Sequence, residues 1–324
     1  MRAFEKPNPA YDYDPAAEIR ALRRYRDTEA GRAIPGATGG HLLLATWNIA
    51  NLGVHKRRDR DYRVIAEIVS WFELVAVQEI ADDLAGIEAV MAHLPAYFAL
   101  IFTDKAGNDE RAAYVYDTRW VALGAKVGEV GVTESEREEI TLPGVARAFD
   151  GFNRNPYIAS FVVEGTTLVL ANAHLYYGET DTAAAQRESI ERRQLEAFAI
   201  GRWCDLRRKS QSAYTTNILA VGDFNLPERT PGDPIYDALT KRGLQLPPHT
   251  TRIPRTNIAN SADYDQIAFV PGLKRRIKTI GVFDFDGTIF QALWNPQATS
   301  YWRTCAKYYV SDHRPLWAQL ELPV

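Results

Sequence analysis

Residues 41–49 read HLLLATWNI, a mostly apolar run with the polar Asn48 near its end. A short apolar run of this kind predicts a buried β-strand. Residues 74–80, LVAVQEI, repeat the pattern and predict a second buried strand. Between the two runs, four apolar residues have the spacing of an amphipathic helix, namely Ile65, Ile68, Val69 and Phe72. The main part of the chain therefore begins as strand, helix, strand.

The alternation of strands and helices continues to the end of the chain. Six more runs predict strands, at residues 112–117, 158–165, 166–175, 217–226, 264–270 and 315–322. Helices are predicted around residues 84–94, 182–209 and 233–243. Because some strands follow one another directly and others are joined by helices, a simple βαβαβ array does not fit. Two sheets packed face to face, with helices outside, account for the pattern.

Residues 1–40 differ from the rest of the chain. Asp14 and Pro15 provide a helix N-cap followed by Pro at the first helical position, and residues 16–32 are good helix formers. The pattern is then interrupted by Pro35, Gly36, Gly39 and Gly40. We therefore expect an N-terminal helical extension and loop over residues 1–40, and a main domain over residues 41–324.

Composition excludes several classes of protein. Of the 324 residues, 46% are hydrophobic and 24% charged, which excludes a mostly disordered chain. No apolar stretch is long enough for a transmembrane helix, and the first residues lack the apolar core of a secretory signal. The two cysteines, Cys204 and Cys305, exclude a disulfide framework. We expect a cytoplasmic protein with no membrane anchor and no obligate protein partner.

The charge balance argues mildly against tight, non-specific binding of long nucleic acid. The chain has 38 Lys and Arg against 41 Asp and Glu, a formal net charge of −3 at pH 7, whereas such binding usually needs a basic excess. Short basic runs, such as residues 56–58, are interpreted as solvated faces. His41, His55, His93 and His249 are expected at the surface, and Trp294, Tyr301 and Trp302 in a polar loop.

Polar residues recur where the apolar strands end. Six such positions are Asn48, Gln78-Glu79, Asn172-Ala173-His174, Asp223-Phe224-Asn225, Asp263-Tyr264-Asp265 and Ser311-Asp312-His313. One such residue is usually a turn residue or a helix cap, but strand ends in a layered fold can converge on a common edge. The six positions therefore predict one site.

The residue types in this set narrow its chemistry. Carboxylates and amides without a Cys/His cluster favour Mg²⁺, Mn²⁺ or Ca²⁺ over a Zn²⁺ cage. The two histidines offer acid/base help or stabilisation of an oxyanion near neutral pH. The sequence has neither a GxxxxGK phosphate loop nor a GxSxG nucleophile elbow. Metal-assisted attack of water on a phosphoryl group fits these parts best.

Six motifs in order, ATWNIANLG, VAVQEI, NAHL, VGDFNLP, YDQI and SDHRPL, resemble those of the endonuclease/exonuclease/phosphatase superfamily, nearest to its deoxyribonuclease I-like nucleases. The resemblance covers about residues 41–322. It implies an α/β (α+β) fold, a four-layer sandwich with two central mixed β-sheets and helices on the outer faces, with residues 41–324 as the catalytic domain.

The resemblance also implies residue roles at a metal and phosphate site. Asn48 and Glu79 match the metal-site pair of the family, and Asp312 matches a further ligand or metal-water contact. Arg154 and Asn225 match residues that bind the substrate phosphate. Mg²⁺ is the expected ion, with Mn²⁺ or Ca²⁺ as alternatives.

Five further residues match the catalytic groups of the family. His313, oriented by Asp265, would face the scissile phosphate. His174 would be a second catalytic histidine with Glu110 as its partner. Asp223 would position or deprotonate the attacking water, and Asn225 is counted with this group as well. The resemblance thus implies in-line attack of an activated water on a phosphodiester.

The substrate is left open by departures from the nuclease pattern. The Arg that follows the QE motif by two in deoxyribonuclease I is Ala81 here. A nuclease acting on DNA or RNA is the leading hypothesis. The alternatives are a phosphodiesterase or phosphatase of a lipid or small-molecule phosphate, and a non-catalytic binding module. Because the full set of catalytic residues is present, catalysis is favoured over a binding module.

Residues 282–290, VFDFDGTIF, imitate the DxDGT nucleophile loop of haloacid-dehalogenase phosphatases, with Asp284 in the place of the nucleophile. That fold needs a long domain after the loop, and too few residues follow here. The segment is therefore interpreted as a polar turn.

Overall fold

Eleven β-strands and eight α-helices make up the regular structure of the described residues in a computed structural model of the protein. The described residues are 3–178, 181–250, 255–295, 297 and 299–322. The strands are β1 (His41–Leu52), β2 (Leu74–Ala81), β3 (Phe98–Phe102), β4 (Glu110–Asp117), β5 (Ala122–Glu129), β6 (Tyr157–Val163), β7 (Thr166–His174), β8 (Ile218–Asp223), β9 (Asp265–Phe269), β10 (Ile277–Val282) and β11 (Leu316–Glu321). The helices are α1 (Pro15–Thr28), α2 (Asp59–Val69), α3 (Ala85–Met91), α4 (Glu134–Glu138), α5 (Ala183–Lys209), α6 (Pro234–Thr240), α7 (Pro271–Lys274) and α8 (Ser300–Tyr309). None of the described helices is long and apolar enough to cross a membrane.

The strands form two mixed sheets. The first sheet has the order β10-β11-β1-β2-β4-β3, and the second has the order β5-β6-β7-β8-β9. Each sheet contains one parallel pair, β1 with β2 and β7 with β8, and the other neighbours are antiparallel. The predicted pair of mixed sheets is confirmed.

Helices cover the outer faces of both sheets, so the fold is a four-layer sandwich, as predicted. Strand β1 shows why its sequence is apolar without alternation. Leu42 and Leu44 belong to the core between the two sheets, whereas Leu43 and Trp47 belong to the core between the first sheet and helices α1, α2, α3 and α8. A strand buried on both faces needs apolar side chains at nearly every position.

The strands that the sequence does not predict all lie at sheet edges. β3 and β10 close the two ends of the first sheet, and β5 forms one edge of the second. β5 is exposed along most of its length. Because β5 has a single neighbour and little burial, its sequence carries a weak apolar signal, whereas the short edge strand β3 is apolar throughout.

A polar network joins the two sheets beneath their common edge. The Nε2 atom of Gln78 on β2 donates to Asn172 Oδ1 on β7 at 2.7 Å and to Thr46 Oγ1 on β1 at 3.1 Å. The Nδ2 atom of Asn172 in turn donates to the carbonyl oxygens of Val77 and Ala113 in the first sheet. Polar groups this deeply buried need such partners, so the network fixes how the sheets face each other.

The N-terminal extension packs along the helices of the first sheet. Asp14 caps helix α1 by accepting a hydrogen bond from the amide of Ala16, as predicted, but the helix ends at Thr28 rather than near residue 32. Leu22 is fully buried, and the hydroxyl of Tyr13 donates to the buried Asp61 at 2.7 Å. The division of the chain at residue 40 stays a prediction.

Two expectations about surface residues in the segment after β1 are wrong. His55 is buried, and its ring stacks on Tyr308 with ring centroids 4.6 Å apart. Arg57 is also buried, and its guanidinium donates to the carbonyl oxygens of Ala50 and Val310. Burial lowers the pKa of Arg57 to about 10, which still leaves it charged near neutral pH. The backbone carbonyls at the end of β1 supply its hydrogen bonds, an arrangement that a short basic run does not reveal.

The aromatic residues before the SDH motif are also placed differently from the prediction. Tyr301 and Trp302 lie in helix α8, and Trp302 is buried. Apolar residues at positions 302, 305, 306 and 309 face the core, which gives the segment a helical period despite its polar composition.

The VFDFDGTIF segment forms a turn whose carboxylates are held by arginines. Asp284 accepts hydrogen bonds from Arg32, and Asp286 is bound through both oxygens by Arg314. These ion pairs occupy the carboxylates that a nucleophile loop would need.

We expect Asn172→Ala to lower the free energy of unfolding by about 1–3 kcal/mol, because it removes three buried hydrogen bonds, one from Gln78 and two to carbonyl oxygens of the first sheet. Denaturant unfolding measures this change. Asn155→Ala is the control, since Asn155 is exposed and a surface change of this kind costs within about 0.5 kcal/mol. Equal losses in the two variants would contradict the structural role of the network.

Candidate active site

Strand register brings the predicted site residues to one edge of the sandwich. In the second sheet, His174 on β7 is paired with Asp223 on β8, which is paired with Asp265 on β9. In the first sheet, Asn48 on β1 is paired with Gln78 on β2. The carboxyl ends of the two parallel pairs therefore meet across the gap between the sheets.

These ends line a cavity of about 370 Å³. Eight of the ten predicted residues line this cavity, namely Glu79, Glu110, Arg154, His174, Asp223, Asn225, Asp312 and His313. The remaining two, Asn48 and Asp265, are fully buried behind this surface. The structure thus brings the whole predicted set together.

Left-handed backbone at three residues shapes the cavity. Asn51, Glu79 and Asn225 have φ angles of 51°, 61° and 47°. The register of β2 with its neighbours shifts around Glu79, as in a β-bulge. Asn adopts this conformation readily, but Glu does so at a cost of about 1–3 kcal/mol. Two hydrogen bonds hold Glu79 in place, from the Asn51 amide at 2.7 Å and from Asn48 Nδ2 at 2.9 Å.

Asn48 and Glu79 form a donor set suited to a hard cation. The Nδ2 atom of Asn48 bridges the sheets by donating to Glu79 Oε1 and to Asp223 Oδ2, the latter at 3.0 Å. Its Oδ1 atom is buried and has no hydrogen-bond partner among the described residues. An amide oxygen without a partner beside a carboxylate fits an Mg²⁺, Mn²⁺ or Ca²⁺ site. Ligand atoms of Glu79, Glu110 and His174 also lie within 4.8 Å of one another.

Each histidine has its own carboxylate partner, and Asp223 lies between the two rings. His313 Nδ1 lies 2.8 Å from Asp265 Oδ2, and His174 Nδ1 lies 2.8 Å from Glu110 Oε1. The Nε2 atoms of both rings point to the same oxygen, Asp223 Oδ2, at 3.8 Å for His313 and 3.6 Å for His174. The two pairs therefore flank one carboxylate.

The charges in this arrangement favour cationic imidazoles beside an anionic Asp223. Burial lowers the pKa of His313, but Asp265 and Asp223 outweigh burial and raise that pKa well above its usual 6.5. Burial and Arg154 lower the pKa of His174, but Glu110 and Asp223 outweigh them and raise it. Burial raises the pKa of Asp223, whereas the two imidazoles outweigh burial and lower it.

The pKa of Asp265 is raised, whereas that of Asp223 is lowered, because burial outweighs the charge of the neighbouring imidazole at Asp265. Burial raises the pKa of Asp265 to about 6, against the opposing effect of His313. The proton shared between Asp265 and His313 therefore belongs to the pair rather than to either residue.

Arg154 and Asn225 hold the segment after β7 in addition to lining the cavity. Arg154 donates from Nε to the His174 carbonyl and from Nη2 to the Leu175 carbonyl, and its Nη1 lies 2.6 Å from Glu110 Oε1. Asn225 donates its side-chain amide to the same Leu175 carbonyl, and its backbone amide donates to Asp223 Oδ1. Both residues thereby fix the positions of the catalytic candidates.

Five cavity residues are absent from the predicted site, namely Phe4, Asn51, Asn108, Tyr177 and Tyr264. Asn51 and Tyr264 lie inside the motifs ATWNIANLG and YDQI, so their position in the sequence was a usable signal. Phe4 and Tyr177 lie outside the six motifs, and no pattern in the sequence places them at the site.

In metal-free protein we expect Glu110→Gln to lower the pKa of the His174 ring, because the substitution removes a carboxylate charge that raises it. Asp265→Asn should lower the pKa of His313 for the same reason. NMR titration of the histidine ring resonances measures both values. Each substitution serves as the control for the other, and equal shifts of both rings in either variant would contradict separate pairs.

The chain is similar in sequence to a known protein and in fold to several solved structures. No family model matches the chain. Its sequence is similar to that of a deoxyribonuclease from Thioalkalivibrio sp. (strain K90mix), with 27% identity over 298 residues that cover 89% of this chain and 73% of the relative.

Solved structures with the same architecture include three proteins of low sequence identity. An endonuclease/exonuclease/phosphatase family protein from Bacteroides thetaiotaomicron has a TM-score of 0.53 at 18% identity, covering 89% of this chain and 100% of its own. An AP endonuclease from Archaeoglobus fulgidus has a TM-score of 0.52 at 15% identity, covering 87% and 100%. The catalytic domain of human nocturnin has a TM-score of 0.54 at 12% identity, covering 87% and 94%. The chain therefore has the fold of the endonuclease/exonuclease/phosphatase superfamily, as its six ordered motifs predicted.

Proposed function

We propose that this chain is a divalent-metal-dependent phosphodiester hydrolase that cleaves nucleic acid, most simply as a DNA endonuclease, with RNA as the other possible polymer. The observation that carries the proposal is the placement of Asp223 between two buried His–carboxylate pairs, next to Asn48 and Glu79. The similarity to a deoxyribonuclease supports a nucleic-acid substrate. Two free, buried cysteines agree with action in the cytoplasm.

The metal would be held by Asn48, Glu79 and Asp312. A cation held there would neutralise charge on the phosphate and stabilise the leaving oxygen. Among the described residues, Glu79 forms no salt bridge, and the cationic group nearest to Asp312 is His313 Nε2 at 4.0 Å.

The chain's own residues supply orientation and proton transfer. Asp223 accepts a hydrogen bond from the attacking water and takes its proton as the new P–O bond forms. The ester P–O bond opposite the water breaks in the same displacement, and the leaving oxygen takes up a proton from solvent. His313 and His174 donate from Nε2 to non-bridging phosphate oxygens, where negative charge develops during attack. Asp265 and Glu110 keep these rings oriented and protonated. Arg154 and Asn225 keep this geometry in place and add donors toward the phosphate.

A phosphatase or phosphodiesterase of small molecules or lipids is the second candidate. It is favoured by the formal net charge of −3, since many nucleases that bind long polymers carry a basic excess. Incubation with plasmid, single-stranded DNA, RNA and an aryl phosphodiester separates the candidates. If the aryl diester is cleaved while all three polymers stay intact, the hypothesis of a small-molecule phosphodiesterase is favoured.

Chelation with EDTA should abolish cleavage, and added Mg²⁺ or Mn²⁺ should restore it, because the carboxylate cluster needs a cation. Glu79→Gln should weaken the apparent metal affinity about tenfold or more, measured from the dependence of rate on metal concentration. Glu67→Gln is the control, since Glu67 binds Arg23 outside the cavity. Full activity after exhaustive chelation would rule out the metal requirement.

Asp223→Asn should lower kcat by at least about 10²-fold, because it keeps the shape of the side chain and removes the proton acceptor. Substrate binding should persist, since the other phosphate donors remain. Asp117→Asn is a matched control, because Asp117 is equally buried but pairs with Arg119 away from the cavity. A variant with the wild-type kcat would exclude Asp223 from the reaction.

A further inference from the structure

The N-terminal segment before helix α1 reaches the catalytic cavity. Three contacts fix its path along helices α2 and α8 and the loop after β1. The hydroxyl of Tyr13 donates to Asp61, the amide of Tyr11 donates to the Tyr309 hydroxyl, and the amide of Phe4 donates to His55 Nε2 at 3.0 Å. Burial, assisted by Arg57, lowers the pKa of His55 to about 3, so the ring stays neutral and its Nε2 can accept this hydrogen bond.

Phe4 becomes part of the cavity wall through this anchoring. Its side chain is half-buried and lines the cavity together with Asn51 and Asp312. The ring packs on His55 with centroids 5.4 Å apart. The Lys307 ammonium lies 5.5 Å from the ring centre and has no acidic partner among the described residues. An aromatic face and a free positive charge therefore lie side by side at this rim.

The second sheet provides aromatic residues on its own wall of the cavity. Tyr177, three residues after the end of β7, has 48% of its surface exposed. It meets Tyr264 edge to face, with centroids 6.4 Å apart, and Tyr264 packs on the His313 ring at 5.6 Å. The catalytic candidates thus lie between one aromatic residue held by the first sheet and two held by the second.

We propose that Phe4 and Tyr177 are stacking positions for the nucleobases on the two sides of the scissile phosphate, and that Lys307 contacts a neighbouring phosphate. The proposal rests on the proposed cleavage of nucleic acid and deepens it. The faces of bases in a duplex are covered by their neighbours, so aromatic side chains can stack on bases only in single strands, unpaired ends or flipped nucleotides. The substrate class is therefore nucleic acid whose bases are unstacked at the cleavage site.

Three features of the wall fit this role. Stacking on an aromatic ring accepts any base, so Phe4 and Tyr177 can hold a strand of any sequence at the cavity. The half-buried Phe4 ring is supported from behind by the His55–Tyr308 stack, so little freedom is lost when a base binds. Lys307 supplies the backbone charge that accompanies stacked bases in single-strand sites.

The test measures binding and cleavage separately. Binding of a fluorescent single-stranded oligonucleotide and of a blunt hairpin duplex is followed by anisotropy, with Asp223→Asn as the background that prevents turnover. Phe4→Ala and Tyr177→Ala should each weaken single-strand binding about 5- to 100-fold, and should change duplex binding less than about twofold. Phe4→Trp should retain binding, because the larger ring preserves the stacking face.

Matched controls separate stacking from damage to the fold. Tyr214→Ala removes a tyrosine that is 49% exposed but lies outside the cavity, and it should leave single-strand binding unchanged. A single-stranded oligonucleotide with abasic sites on both sides of its central phosphate offers no base for stacking at that phosphate. It should therefore bind Phe4→Ala and the parent protein with equal affinity. Melting temperatures of all variants confirm that they are folded.

The outcomes separate a failure of the stacking proposal from a failure of the proposed phosphodiester hydrolysis. If the wild-type chain cleaves nucleic acid while Phe4→Ala and Tyr177→Ala bind single strands like the parent, the stacking proposal is overturned and the hydrolase proposal stands. If no phosphodiester is cleaved but both variants lose single-strand binding selectively, the stacking proposal is supported and the proposed reaction fails. Equal losses on single strands and duplex would also overturn the stacking proposal.

Discussion

The hydrogen bond from Asn48 to Asp223 is the contact on which the site depends, because it is made across the two sheets. A single amide nitrogen holds Glu79 of the first sheet and Asp223 of the second. Neither sheet alone carries both the metal-ligating candidates and the candidate for positioning water. Beneath this bridge, the Gln78–Asn172 bond repeats the same cross-sheet connection in the core. The spacing of the reacting groups is therefore set by the packing of the layers, which is rigid on the scale of side-chain motion.

That packing holds a costly collection of buried charge in place. Asp223 and Asp265 are almost fully buried, and two imidazoles and a guanidinium lie among the carboxylates. Burying paired charges contributes little stability and can reduce it. The arrangement is consistent with preorganisation, since the two rings and Asp223 are already held in fixed positions at the cavity and need little rearrangement during reaction. The left-handed backbone of Glu79 is a further cost of the same kind.

The layers and the convergence of the candidate residues at one edge can be predicted from the sequence, because both leave local patterns in it. Asn48, Asp223 and His313 each follow or adjoin an apolar run, and strand register then brings them together. Edge strand β5 leaves no such pattern, because it is exposed and buries few side chains. Arg57 and Phe4 are unpredictable for a different reason. Their roles come from contacts with residues far along the chain, Arg57 with Val310 and Phe4 with the segment after β1, and neither contact imposes a period on the local sequence.

Helix α8 connects the N-terminal extension to the SDH loop, residues 310–315, which carries Asp312 and His313. Its Tyr309 hydroxyl accepts the Tyr11 amide of the extension. Directly after the helix, Ser311 Oγ donates to the Asn48 carbonyl and accepts a hydrogen bond from the His313 amide, which connects the SDH loop to β1. A loosened extension would therefore disturb the loop as well as the cavity wall. Truncation of the Phe4 side chain avoids this coupling, because the hydrogen bond that anchors Phe4 comes from its backbone amide and survives the substitution. Removal of the ring thus changes the surface offered to a substrate while the anchoring contacts of the extension stay in place.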